Sequence, residues 1–201
     1  MSLSLGQKAG WGLADMGIVV FVIVKQLLIL AFMNSFLGIP IALAGAVTTA
    51  VLIFDIISDP IIGYFSDKTV SRFGRRAPWM LVGAVVLALA MIGLFAVPEN
   101  FTTNASLIWV TVFFLISTVG FTMVSIPYGA MAGEMTFDRK ERSSMTAWRM
   151  AFASLGILVG GALIPVLAGD TKSGYTFAAI CVAPLIILSI WLSVFFTRNA
   201  P

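Results

Sequence analysis

Asp55 and Asp59 stand four residues apart in an apolar segment that begins near Ile41 and carries no other charge. On a helix that spacing turns both carboxylates to one face. Two neighbouring acids repel and resist being charged together unless something positive compensates them. A monovalent cation, a shared proton, or the basic groups of Lys25 or Arg149 would each do so. Asp15 and Lys25 are also embedded in apolar sequence, and Arg149 lies just inside another such run. Ionisable side chains within a membrane usually face a bundle interior or a wet cavity and mark transport pathways. The purely structural alternative is a fixed salt-bridge cluster that sets how helices pack. Asp59 also precedes Pro60, which disfavours helical geometry at that acid and removes a backbone donor. A kink there would free a carbonyl for an oxygen-rich site; otherwise Pro60 is an ordinary membrane-helix proline.

The elements that must position these charges are membrane helices. The chain has 201 residues, 60% hydrophobic and only 10% charged, against about 25% charged in a soluble chain. Its mean hydropathy is +1.04. Apolar runs of about 20 residues, separated by Gly38 with Pro40, by Pro98 with Asn100, and by the 169–174 segment, divide it into six spans. These are expected near 10–33, 41–65, 78–98, 106–132, 145–168 and 175–197, as one six-helix bundle over 1–201. The first span is long enough to remain as a signal anchor.

With these spans, Lys8, Lys68, Arg72, Arg75, Arg76, Arg139, Lys140, Arg142 and Arg198 fall on one side, and Lys172 alone in a loop on the other. The excess of basic residues places both termini in the cytoplasm. A rise of about 1.5 Å per residue puts Asp15, Asp59 and Arg149 about 9–12 Å to the cytoplasmic side of the midplane. Asp55 lies about 3 Å to that side and Lys25 about 4 Å to the other, a gap that a long lysine side chain spans. Lys25 is therefore expected to approach Asp55 and to stand in for a cation there, the alternative being a lysine near a span end that snorkels to the headgroups.

Several functions are excluded. The chain has no histidine and a single cysteine, Cys181, so no internal disulfide is possible and proton chemistry must use carboxylates. No nucleophile–base set, metal cluster or phosphate loop marks an enzyme. No cofactor is expected, and no metal beyond a monovalent cation. The net charge of +3 reflects sidedness rather than nucleic-acid binding. Gly156 with Gly160, and Gly129 with Gly133, have spacings that allow close helix approach.

The stretch "DIISDP" followed by "GYFSDKTVSRFGRRAPW" resembles the glycoside–pentoside–hexuronide cation symporters of the major facilitator superfamily. The likeness extends through "GWGLADMG", "SIPYGAMAGEM" and "DRKERSSMTAWRMAFASLG". It implies an all-α fold, one six-helix half built from 3+3 inverted repeats. It implies a cation site from Asp55 and Asp59, with Thr122 as a further contact and Ser58 at a position that affects ion choice, so that Na+, Li+ and H+ all stay open. It implies a solute cavity near Arg149, with Asp15, Lys25 and Ser125 at its wall. Gly63, Asp67, Gly74, Arg75 and Arg76 match the loop signature that gates the superfamily, and acids of the 134–142 region would answer its charges. The galactoside-transporting members carry acids at the positions of Val19 and Ser125 and a tryptophan at that of Gly129, so the sugar-specific half of the site departs.

The resemblance thus implies cation-coupled symport of a small organic solute, a sugar or glycoside, by alternating access in the bacterial inner membrane. The partners implied are the lipid bilayer, the solute and a second six-helix half, because "FFTRNAP" follows directly on helix 6 and the superfamily uses two halves. That second half would be a C-terminal half, a homologous half or a second copy. The alternative is a non-transporting membrane subunit or assembly protein that keeps the half-fold.

Overall fold

The computed structural model describes residues 3–198. Met1, Ser2 and residues 199–201, the end of "FFTRNAP", lie outside the described residues. Six helices are long and apolar enough to cross a membrane: α1 Leu5–Ser35, α2 Ile41–Lys68, α3 Ala77–Phe95, α4 Thr103–Met135, α5 Arg139–Ala168 and α6 Lys172–Thr197. No strand occurs among the described residues.

Most helices start earlier than hydropathy suggests, because polar caps lie outside the apolar runs. Ser4 and Gln7 form a capping box at α1. Thr102, Asp138 and Thr171 accept backbone N–H groups at the starts of α4, α5 and α6. Such caps satisfy donors that the helix leaves open. The first turns of α5, "RKERSS", are charged and were invisible as span, so α5 begins at Arg139 instead of 145. Helix α3 stops at Phe95, short of the expected 98, where the N–H of Ala96 closes on the carbonyl of Ile92 and the chain reaches Pro98. Helix α2 runs through Asp59 and Pro60 as unbroken helix. The other unforeseen features are two π-helical turns, Val24–Leu28 within α1 and Val159–Leu163 within α5.

Helix α1 packs on α5 and α6, α4 packs on α2 and α3, and α3 packs on α6. Exchanging α1 with α4, α2 with α5 and α3 with α6 maps these contacts onto one another, whereas α5 with α6 and α1 with α2 touch without a comparable counterpart. Helices α2 and α5 bury the least of their surface. The α1–α5 seam is tight because glycine removes side chains from it. A Cβ on Gly12 would lie 2.8 Å from the backbone nitrogen of Arg149, and one on Gly156 would lie 2.6 Å from the carbonyl oxygen of Met16. Gly160 meets Ile23 in the same seam. Gly129 and Gly133 meet nothing within 4 Å, so the close helix contact expected of that second pair is not made.

Candidate ion and solute site

Two acid–base pairs cross the bundle from α1. The first joins Lys25 to Asp55 Oδ2 on α2. Lys25 belongs to the π-helical turn Val24–Leu28 and is buried. Its ammonium also lies 5.8 Å from the centre of the Phe121 ring on α4. The other oxygen of Asp55 is buried and lacks a hydrogen-bond partner. Ser58, also buried, donates to the carbonyl oxygen of Asp55 at 3.2 Å, so its hydroxyl proton is used within α2 rather than on a carboxylate.

One turn along α2, half-buried Asp59 makes no hydrogen bond or ion pair among the described residues. On neighbouring α4 the hydroxyls of Thr118 and Thr122 are buried without partners. Ser125 on the same helix is half-buried. The neighbouring helices α2 and α4 therefore carry uncommitted oxygens: one carboxylate, half of another and two hydroxyls. Hard cations are bound by oxygen donors of this kind. No group of three or more His, Cys, Asp or Glu suited to a metal occurs among the described residues.

The second pair joins Asp15 to Arg149 Nε at 3.1 Å, with the Asp15 side chain 4% exposed and that of Arg149 45% exposed. Matched depth alone left Arg149 able to meet either Asp15 or Asp59, and the fold chooses Asp15. The guanidinium also lies 5.6 Å from the centre of the Tyr128 ring. Tyr128 stacks on Trp11 at 4.8 Å and 17°, and the Trp11 indole donates to the Tyr128 carbonyl oxygen at 3.4 Å. The Tyr128 hydroxyl and Asp15 Oδ1 are buried without partners. Asp15, Trp11 and Tyr128 are buried, so the half-exposed Arg149 guanidinium is the member of this cluster that can donate hydrogen bonds to a polyhydroxylated molecule. Trp11 and Tyr128 were not singled out from the sequence, although both lie inside the motifs "GWGLADMG" and "SIPYGAMAGEM". Val19 instead lies in the α1–α5 seam, against Gly156.

At the end of the bundle where Lys8 of α1 pairs with Glu141 of α5, the loop after α2 folds over α4. Arg76 bridges Asp67 at 3.1 Å and Glu134 at 2.9 Å, and Arg75 reaches Glu134 at 3.1 Å. Glu134 is thus the hub that, with Arg76 and Asp67, ties the end of α2 and the 69–76 loop to α4. Gly74, with φ of 93°, takes a left-handed turn that other residues resist. Gly63 has no such need: a Cβ there would meet Ile126 at an ordinary 3.5 Å. Asp138 serves as the cap of α5 rather than joining the cluster.

The model of a family described as MFS/sugar transport protein matches residues 10–201. The chain belongs to that family. Among individual proteins it is similar to one of Escherichia coli K12 assigned provisionally as a glycoside/cation symporter, YagG, at 30% identity over 98% of this chain and 44% of that protein. It is also 28% identical to the inner membrane symporter YicJ of the same organism, again over 98% and 44%. An uncharacterized symporter of Bacillus subtilis 168, YnaJ, is 33% identical over 83% and 36%. The chain therefore spans less than half the length of these relatives. Membership in the MFS/sugar transport family, with six apolar helices, makes it a multi-pass integral membrane protein and supports the resemblance to the glycoside–pentoside–hexuronide symporters.

Proposed function

We propose that this chain forms one six-helix half of a secondary transporter. It moves a small organic solute, a sugar or glycoside, together with one monovalent cation by alternating access. The membrane is the bacterial inner membrane, with both termini cytoplasmic. A second six-helix half completes the path, since transport of this kind needs one bundle rocking against another around a midplane site. The observation that carries the reading is the charge balance deep in the spans. Asp15 cancels Arg149 and Asp55 cancels Lys25, which leaves the charge of Asp59 over. An uncompensated carboxylate at that depth is costly, and one added monovalent cation removes the cost. The half-exposed Arg149, held by buried Asp15 and backed by Tyr128 and Trp11, supplies a solute contact.

The test is uptake of labelled sugars and glycosides into membrane vesicles from cells expressing the native gene. Sodium, lithium and proton gradients are imposed in turn. A gradient of one of these ions should drive accumulation, and Asp59→Asn should abolish the dependence on it. Uptake equal in the wild type and Asp59→Asn, or none under any gradient, contradicts the proposal.

A further inference from the structure

Among the described residues Lys25 is the one lysine placed within a span away from its ends. It lies in a π-helical turn, a local widening that re-aims side chains and recurs at functional sites. Its ammonium has one carboxylate partner, Asp55 Oδ2. The acid one turn further along α2 has none. An alkali-metal ion held by both acids must share Asp55 with a charged group of its own sign, which holds Oδ2 and leaves Oδ1 unpartnered. With Lys25 in place the two acids and the ammonium sum to one negative charge. With Lys25 withdrawn they sum to two.

We propose that Lys25 is a tethered competitor for the coupling ion: its ammonium holds the Asp55 half of the site and weakens the binding of free sodium or lithium. The inference rests on the reading of Asp55 and Asp59 as the ion site. Binding of a metal ion then has a structural consequence. It releases Lys25 from α2 and breaks the ion pair that ties the π-helical turn of α1 to that helix. The Phe121 ring at 5.8 Å gives the displaced ammonium a second resting place, since aromatic faces attract cations. Ion entry is thereby linked to the position of α1 against α2. A ligand shifts such an equilibrium only through unequal affinity for its two states, and the Lys25–Asp55 pair supplies that inequality.

The experiment measures ion binding to the purified chain in detergent, titrating sodium against choline at constant ionic strength and reading tryptophan fluorescence and the thermal midpoint. If the Lys25-bound form dominates, freeing Asp55 raises apparent affinity in proportion to the fraction previously blocked. Lys25→Met should therefore bind sodium about tenfold more tightly than the wild type. Lys25→Arg, which keeps the charge, should not. The gain should vanish in Lys25→Met/Asp55→Asn. An unchanged sodium midpoint in Lys25→Met, or a gain that survives Asp55→Asn, overturns the proposal. Should Lys25→Met fold only with sodium present, that dependence is itself the expected competition, and Lys25→Gln provides the titration. Should Lys25→Met fail to fold even in sodium while the double variant folds, the pair is a structural tie and the proposal fails. No solute enters the measurement. Absent transport with the tenfold gain intact would sink the symport reading and leave this one standing.

Discussion

Asp15 and Arg149 are worth more together than apart. The carboxylate is almost wholly enclosed, whereas half of the guanidinium remains accessible. Removing the arginine leaves a buried acid without its counter-charge, which costs about 3 kcal/mol. Removing both partners deletes the problem with its solution. Arg149→Met should accordingly lower the thermal midpoint of the purified chain sharply, and Asp15→Asn/Arg149→Met should recover most of the loss. Additive losses in that cycle would mean that the two residues are not energetically coupled. The sequence shows in part why this pairing forms. Depth along a helix follows from counting residues, so Lys25 with Asp55, and Arg149 with one of two acids, were accessible to arithmetic. Which acid Arg149 takes depends on how α1 and α5 are rotated. Helix α1 is apolar on most of its sides and carries little periodic signal of that rotation.

Helices in lipid gain nothing by hiding apolar surface from one another, so their seams depend on shape. The α1–α5 seam shows this at Gly12, Gly156 and Gly160, where backbone or a β-carbon fills the place of a side chain. Gly129 and Gly133 have the same four-residue spacing and open onto empty space. Spacing alone therefore could not distinguish a packing glycine from a bystander, because the distinction lies in the partner helix. Gly156→Leu should drive α1 and α5 apart and destabilise the bundle by about 3 kcal/mol, the upper part of the usual overpacking range. Gly129→Ala and Gly133→Ala should leave the thermal midpoint no lower, since alanine favours helix over glycine. A stable Gly156→Leu chain would show that the seam is not a tight packing contact. The π-helical turns belong to the same lesson. Val24–Leu28 and Val159–Leu163 contact each other across this seam, and their sequences, "VKQLL" and "VGGAL", are plain apolar helix to any window that reads composition.

The whole bundle has two unlike ends. Of the 12 lysines and arginines, all but Lys25, Arg149 and Lys172 gather where the Glu134 hub fastens the 69–76 loop. Lys172 instead donates to the Pro98 carbonyl oxygen at 3.1 Å and joins the two loops of the opposite end. Both described chain ends lie on the basic side, since Gly10 packs against Phe196. Basic residues beside a span resist translocation, and nine against one is a strong bias. That asymmetry was readable in full from the sequence, because it needs only the span count and the positions of the charges. Alkaline phosphatase inserted between Pro98 and Thr102 should be active in whole bacterial cells, whereas the same reporter fused after Arg198 should be silent and a fluorescent protein there should glow. The reverse pattern would put the Arg75–Arg76–Glu134 cluster outside. A cytoplasmic gate could then no longer be built from it, and Asp15 with Arg149 would lie nearer the outer surface than the inner.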